Sequence, residues 1–195
     1  MPKPHKFDKF LKAMLTMFGI GYSKYAPGTL ASFTTCIIYL LIFYLSSNTL
    51  TLFLFYYNPE YVVYFLIIIT ISSINLINDH SFRDKFAKLF KKKDPNEIVI
   101  DEFIGQSIPI ISYYYFQFFV ANDSFKNATI FFNLEPFIPW IITSFILFRF
   151  FDILKPYPIN IIDKKMKNGL GIMLDDIIAG IYSTITVYII WSLCF

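Results

Sequence analysis

Apolar residues of this chain are gathered into long runs that polar and basic stretches separate. The runs cover about 30–46, 61–78, 103–120, 137–154 and 176–194. A helix of roughly 20 apolar residues is long enough to cross the hydrocarbon core of a bilayer. The pattern therefore predicts an all-α, polytopic helical membrane protein with about four to five spans, built as a single domain over residues 1–195.

The first 18 residues have a different pattern, with apolar and basic positions alternating at helical spacing. The apolar positions are Phe7, Phe10, Leu11, Met14, Leu15 and Phe18, and the basic ones are Lys3, Lys6, Lys9 and Lys12. This spacing gives a helix with one apolar and one basic face. It predicts an amphipathic helix over 1–18 that lies on an anionic lipid bilayer. The alternative is an ordinary amphipathic helix packed on the rest of the protein.

Composition supports a membrane protein. Hydrophobic residues make up 56% of the chain and charged residues only 16%, far from the average of soluble domains. Cys36 and Cys194 both lie in apolar runs, so we interpret them as core residues and predict no disulfide. We predict no nucleic-acid partner, and the sequence indicates no particular oligomeric state.

The basic residues predict the orientation of the spans. If five spans alternate, sixteen lysines and arginines fall on one side of the membrane and only Lys126 on the other. The positive-inside rule assigns the basic side to the cytoplasm. The N-terminal helix and the loops around 79–97 and 155–168 would then be cytoplasmic.

The same topology brings carboxylates together at the cytoplasmic interface. Asp101 and Glu102 open the third span, Asp152 closes the fourth, and Asp175 and Asp176 open the fifth. Clustered carboxylates need a cation or protons to offset their repulsion, and oxygen ligands without His or Cys favour Mg²⁺. Each group also has a structural interpretation. The acids at 101–102 and 175–176 could be favoured by a helix dipole, and Asp152 could pair with Arg149 three residues earlier.

Two further segments suit a phosphate group. Lys155 precedes Pro156, which ends the fourth span and places the lysine at the interface. Gly28 and Thr29 open the first span, where backbone N–H groups could bind an anion. The alternative for Gly28 and Thr29 is a simple helix start.

Four blocks of the chain carry a family resemblance. They are Gly19–Gly21 with Pro27–Thr29, then Ile98–Gly105, Phe148–Ile159 and Gly169–Gly180. Together they resemble phosphatidylglycerophosphatase A, a family of bacterial inner-membrane lipid phosphatases. The resemblance implies Mg²⁺-dependent removal of the terminal phosphate of phosphatidylglycerophosphate, which yields phosphatidylglycerol for phospholipid biosynthesis. It also implies a multi-pass protein of the bacterial inner (cytoplasmic) membrane with its site on the cytoplasmic side. The family's functional acids carry over to Asp101, Glu102, Asp152, Asp175 and Asp176, and its lysine to Lys155.

We combine these residues into one mechanistic hypothesis. Cys36, Cys194, His5 and His80 are poorly placed to act as nucleophiles, which leaves metal-assisted attack by water. The expected Mg²⁺ ligands are Asp101, Glu102, Asp175 and Asp176. The expected phosphate-binding groups are Gly28, Thr29, Arg149 and Lys155.

Three alternatives to this function remain open from the sequence. The first is a related phosphatase that acts on another lipid phosphate. The second is a small ion or proton transporter that uses the interfacial acids. The third is a non-catalytic lipid-binding protein. A panel of lipid phosphates separates the first from the proposed enzyme, and acid-to-amide substitutions separate the enzymes from the third.

Overall fold

The computed structural model describes residues 6–46, 59–78, 97–120, 134–166 and 169–194, and these residues are helical almost throughout. The helices are α1 (Lys6–Leu15), a 3-10 helix (Ile20–Tyr22), α2 (Pro27–Ser46), α3 (Pro59–Asn78), α4 (Ile100–Val120), α5 (Leu134–Leu154), α6 (Ile159–Lys165) and α7 (Gly169–Cys194). The described part of the chain contains no strand. The prediction of an all-α fold is confirmed.

Three helices are long and apolar enough to cross a membrane. The qualifying segments are Pro27–Tyr44 in α2, Pro136–Leu154 in α5 and Leu170–Cys194 in α7. The predicted spans at 61–78 and 103–120 form α3 and α4, but α3 offers only a shorter apolar segment, Val63–Asn75. Within the described ranges there are thus three candidate spans, where the sequence predicted four to five. Lys126 and the basic loop at 83–93 lie outside the described residues, so the charge asymmetry stays a prediction.

Large apolar side chains cover the outer faces of α5 and α7. On α5, Ile142 and Ile146 are 53% and 59% exposed, and on α7 Ile185 and Ile189 are 53% and 54% exposed. Each pair is four residues apart, so each forms part of one continuous face of its helix. Exposed apolar faces of this kind suit a hydrocarbon environment.

Aromatic side chains fill the interior between α2, α4, α5 and α7. Trp140 is fully buried, and its indole Nε1 donates a hydrogen bond to the carbonyl of Pro109 at 2.8 Å. Phe43 and Phe137 stack with their ring centroids 4.2 Å apart. Pro109 lies inside α4 and has no N–H to donate to the carbonyl of Gly105, one turn earlier.

Backbones of α4 and α7 touch where two glycines meet. A Cβ added to Gly180 would overlap the carbonyl oxygen of Gly105, and one added to Gly105 would lie 2.7 Å from the carbonyl oxygen of Asp176. Small residues allow helices in membranes to approach this closely. Gly105 lies four residues after Asp101, and Gly180 lies four residues after Asp176. The contact therefore aligns the acidic turns of the two helices.

The N-terminal helix packs on the protein at its C-terminal end. Leu15 is 2% exposed and packs in a cluster with Ile100, Ile104 and Met173. Its carbonyl accepts a hydrogen bond from the Val99 N–H at 3.0 Å. Phe10, one turn away, is 58% exposed. The structure thus supports the alternative of a helix packed on the rest of the chain, while contact of its outer face with a bilayer stays a prediction.

The two cysteines differ in environment. Both are free thiols, as predicted, and Cys36 is buried. The prediction that Cys194 is a core residue is wrong, because Cys194 lies at the exposed end of α7.

Candidate active site

Three carboxylates from the N-terminal parts of α4 and α7 converge. One oxygen each of Asp101, Glu102 and Asp176 lie within 4.8 Å of one another. Asp101 and Glu102 belong to the first turn of α4, and Asp176 is only 4% exposed. The glycine contact described above brings the two helices close enough for this arrangement. We call these three residues the acidic cluster.

Two carboxylate oxygen atoms of the acidic cluster have no hydrogen-bond partner within the described part of the chain. Among the described residues, Asp101 Oδ1 and Glu102 Oε2 are buried and have no hydrogen-bond partner. A buried carboxylate oxygen without a partner is costly, and a bound cation would offset that cost. The donors are all oxygen atoms, which suits a hard divalent cation such as Mg²⁺. The residues present therefore fit the predicted ion.

Lys155 bridges two carboxylates, one of which belongs to Asp175, the residue before Asp176 of the acidic cluster. Its Nζ is 2.9 Å from Asp175 Oδ2 and 2.9 Å from Asp163 Oδ1. Lys155 immediately follows α5 with φ 45°, in the left-handed region. Its N–H donates to the Phe151 carbonyl at 2.9 Å, which closes the helix end. The end of α5 thus directs the lysine toward α6 and α7.

The charge of Lys155 is stabilised by these two contacts. Burial alone lowers the pKa of its ammonium group, but hydrogen bonds with Asp163 and Asp175 outweigh burial and raise that pKa above its usual value. Asp175, which the sequence predicted as a metal ligand, uses Oδ2 for Lys155 and accepts the Asp176 N–H with Oδ1 at 3.1 Å.

Arg149 and Asp152 form the ion pair that the sequence left open as a structural alternative. Arg149 Nη1 lies 2.7 Å from Asp152 Oδ2, and the two side chains are 16% and 14% exposed. The same Nη1 donates to Ser32 Oγ at 3.4 Å, which connects α5 to α2. Asp152 is also a charged neighbour of Asp176. The pair thus lies at the edge of the acidic cluster.

The start of α2 also meets the acidic cluster. Gly28 is buried, and a Cβ added there would overlap Oε1 of Glu102. Thr29 is half-buried in the same turn. A carboxylate is favourable at the positive end of a helix dipole. The turn predicted to bind phosphate therefore already faces an anionic side chain.

Sequence reasoning missed two residues of this region. Asp163 holds Lys155 from α6, a short helix inside what was predicted as a loop. Gln106 is fully buried one turn after Glu102, and both atoms of its amide lack a partner within the described part of the chain. Gln106 could have been found from the sequence, because it is a polar residue inside an apolar run. Polar residues within membrane segments are costly and usually belong to functional sites.

Comparison with known proteins identifies related chains. The family model described as Phosphatidylglycerophosphatase A matches residues 13–191. A Phosphatidylglycerophosphatase A of Haemophilus influenzae is 40% identical over 102 residues, which are 51% of this chain and 50% of that protein. The matched segment thus spans about half the length of the Haemophilus relative.

Two other relatives match over most of their length. A protein of Bacteroides thetaiotaomicron named Putative phosphatidylinositol-3-phosphatase is 30% identical over 93% of this chain and 94% of its own length. A Phosphatidylglycerophosphatase A of Escherichia coli is 28% identical over 89% of this chain and 78% of its own length. No solved structure matches the chain.

Proposed function

Because this chain belongs to the phosphatidylglycerophosphatase A family, we propose that it hydrolyses the terminal phosphomonoester of phosphatidylglycerophosphate. The products are phosphatidylglycerol and inorganic phosphate. The observation that carries this proposal is the acidic cluster, with oxygens within 4.8 Å of one another, together with Lys155, which pairs with Asp175 next to Asp176 in the chain. Hydrolysis of a phosphate ester is promoted by a cation that stabilises the phosphoryl charge and by a base that accepts a proton from water.

The acidic cluster is the proposed Mg²⁺ site. Asp101, Glu102 and Asp176 would hold the ion through their carboxylate oxygens. When bound, Mg²⁺ supplies Lewis-acid stabilisation of phosphate charge and lowers the pKa of water. Asp175 is assigned a different role from the one expected from sequence, because its hydrogen bond with Lys155 makes it a positioning residue.

The protein's own groups account for the remaining steps. Lys155 offsets the negative charge that builds on the phosphoryl oxygens. A carboxylate of the site accepts a proton from water as the water oxygen bonds to phosphorus and the bond to the glycerol oxygen breaks. The same carboxyl group, now protonated, returns this proton to the leaving glycerol oxygen. Both acids of the 101–102 pair would bind the ion, whereas in the 175–176 pair Asp176 would bind it and Asp175 pairs with Lys155.

Other predicted groups surround this centre. Asp152 holds Arg149 at 2.7 Å, and Arg149 is a second cation near Glu102. Gly28 leaves room for Glu102 at the start of α2, and its N–H and that of Thr29 are the proposed backbone contacts to phosphate. Removal of Arg149 should therefore weaken phosphate binding and also leave Asp152 without its partner.

We place the protein in the bacterial inner membrane with five spans, α2, α3, α4, α5 and α7, and with the acidic cluster facing the cytoplasm. The positive-inside rule supports this orientation. The cluster lies near the N-terminal ends of α4 and α7, where an interface rather than the bilayer midplane is expected.

A second candidate substrate is another lipid phosphate. It is favoured by the relative from Bacteroides thetaiotaomicron, whose name specifies a phosphatidylinositol-3-phosphatase and which matches nearly the whole chain. The same acidic cluster and lysine would serve either substrate, since both present a phosphomonoester at a lipid headgroup.

Phosphate release by the purified protein in detergent tests the proposal. The substrates are phosphatidylglycerophosphate, phosphatidylinositol 3-phosphate and phosphatidic acid, each with Mg²⁺ and with EDTA. We expect Mg²⁺-dependent release from phosphatidylglycerophosphate alone. Preferential release from phosphatidylinositol 3-phosphate would establish the second candidate. No release from any of the three, by folded protein, would overturn the phosphatase assignment.

A further inference from the structure

An apolar groove with a volume of about 410 Å³ runs between α3, α4 and α7. The residues that line it include Leu66, Thr70, Ile71, Ile104, Ile111 and Ile177. Its floor is buried and its rim is open. Ile104 and Ile111 are 2% and 5% exposed, whereas Ile71 and Tyr115 are 54% and 43% exposed. The groove is therefore accessible from the side of the helix bundle.

Two hydroxyl side chains in the groove, those of Thr70 and Ser112, donate hydrogen bonds within their own helices. The Thr70 hydroxyl donates to the Leu66 carbonyl at 2.7 Å, and the Ser112 hydroxyl donates to the Pro109 carbonyl at 2.7 Å. Their hydrogen-bonding capacity is thus directed away from a ligand. The groove presents a hydrocarbon surface, which suits a hydrocarbon ligand.

The groove begins one helical turn from the acidic cluster, because its lining residue Ile104 lies three residues after Asp101. Asp101, Ile104, Ile108, Ile111 and Tyr115 follow one another at spacings of three, four, three and four residues. This spacing places them in one stripe on the surface of α4. On α7, the lining residue Ile177 directly follows Asp176. A ligand in the groove would therefore end at the carboxylates.

The length of the groove matches one leaflet of a bilayer. From Ile104 to Tyr115 the axis of α4 rises about 16 Å. The hydrocarbon part of a single leaflet is about 15 Å deep, half of the full core. One extended acyl chain fits this depth, with its headgroup at the acidic cluster.

We propose that the groove binds one acyl chain of the lipid whose phosphate is held at the acidic cluster. This proposal rests on the function proposed above. The groove anchors the substrate by apolar contacts that do not depend on the headgroup. Remote contacts of this kind hold the scissile phosphate in place against the catalytic groups. The enzyme should therefore distinguish long-chain from short-chain substrates.

Substituting a rim residue tests the proposal through the choice of substrate. Ile71→Trp places a bulky side chain in the groove, and Ile68→Trp is the matched control on α3. Ile68 is 62% exposed and is not one of the groove's lining residues. We expect Ile71→Trp to raise KM for dioleoyl phosphatidylglycerophosphate about tenfold, which corresponds to roughly two displaced methylenes. KM for the dihexanoyl substrate should be unchanged, as should both values in Ile68→Trp.

Photocrosslinking gives a readout that does not require catalysis. Phosphatidylglycerol with a diazirine in one acyl chain is irradiated with the full-length protein, and labelled peptides are identified by mass spectrometry. We expect labelling of α3 and α4 along the groove, reduced by long-chain phosphatidylglycerol and by Ile71→Trp. Labelling of the groove without phosphate release would support the acyl-chain site and overturn the proposed phosphatase activity. If phosphate is released but the outer face of α5 is labelled as strongly as the groove, the groove contacts only bulk lipid. That result would overturn the proposed acyl-chain site.

A second copy of the chain is the other possible occupant of the groove. Disulfide-linked dimers of Ile71→Cys, in a background with Cys36→Ser and Cys194→Ser, would overturn the acyl-chain proposal. A monomer under the same oxidising conditions is the expected result.

Discussion

At the scale of single residues, the site balances negative charge with two fixed cations. Lys155 is held by Asp163 and Asp175, each at 2.9 Å, and Arg149 by Asp152 at 2.7 Å. Each of these cations has an acidic partner, so the excess negative charge remains on the acidic cluster. A bound divalent cation would offset this excess negative charge and allow a phosphate group to approach.

Replacing Asp176 by Asn should lower kcat about a hundredfold or more, because it removes a ligand of the proposed ion. Folding should be preserved, since the amide has the same shape as the carboxyl group. Phosphate release and the thermal unfolding temperature are the two measurements. Asp163→Asn is a graded control, because Lys155 keeps Asp175, and it should lose much less activity. Full activity in Asp176→Asn would exclude Asp176 from the site.

Replacing Gln106 by Leu should raise the free energy of unfolding in EDTA by about 1–3 kcal/mol, the cost of burying an unpaired amide. It should also lower activity, because the amide lies one turn from Glu102 and is the nearest uncommitted polar group along α4. Thermal unfolding and phosphate release check the two effects. A loss of stability together with unchanged activity would show that the amide has a structural partner instead.

Several of these residues were predictable from sequence, and others were not. Carboxylates at the ends of apolar runs are recognisable because burial makes them costly. The bond between Lys155 and Asp163 is not, because it depends on α6, a seven-residue helix with no long apolar period. The different contacts of Asp175 and Asp176 were not predictable either, since adjacent positions carry the same residue type.

At the scale of helices, the contact between Gly105 and Gly180 determines where the acids meet. One turn separates each glycine from an acid of the cluster, so any displacement of α4 against α7 also moves Asp101 relative to Asp176. The pattern of apolar runs predicted the start of α4 within three residues, at 103 against Ile100, but missed the start of α7 by seven residues, at 176 against Gly169. It gave no information about which faces touch, because α4 and α7 are apolar around most of their circumference.

Replacing Gly180 by Ala should destabilise the protein by about 1–3 kcal/mol, as overpacking typically does. The added Cβ would overlap the Gly105 carbonyl, so the two helices must move apart. Activity should fall by more than the loss of folded protein explains. Thermal unfolding and specific activity of the folded fraction are the measurements. Ile181→Ala, at an exposed neighbouring position, is the control and should change neither.

At the scale of the whole molecule, five spans and three spans make different predictions for one position. With five spans the end of α3 is cytoplasmic, and with only α2, α5 and α7 crossing it is periplasmic. The sequence could not decide this, because α3 and α4 carry polar residues among their apolar ones. Hydropathy does not distinguish a membrane-spanning helix whose polar residues are buried against neighbouring helices from a helix that lies outside the bilayer.

Cysteine labelling of intact spheroplasts resolves the topology. In a background with Cys36→Ser and Cys194→Ser, Asn78→Cys should be protected from an impermeant maleimide. Ser46→Cys should be labelled and Lys165→Cys protected in either topology, so these two variants serve as controls. Labelling of Asn78→Cys would contradict the five-span topology, in which the end of α3 is cytoplasmic.

Pro109 has a consequence for how the protein is made. It leaves the Gly105 carbonyl without a helical donor, and that carbonyl rests against Gly180. In hydrocarbon no water is available to satisfy it. With five spans, α4 enters the membrane before α7 during synthesis, and until α7 arrives this oxygen is not covered by Gly180. Docking of α7 is therefore a required step of biogenesis, and nascent chains that stop short of Gly180 should be substrates for membrane quality-control proteases.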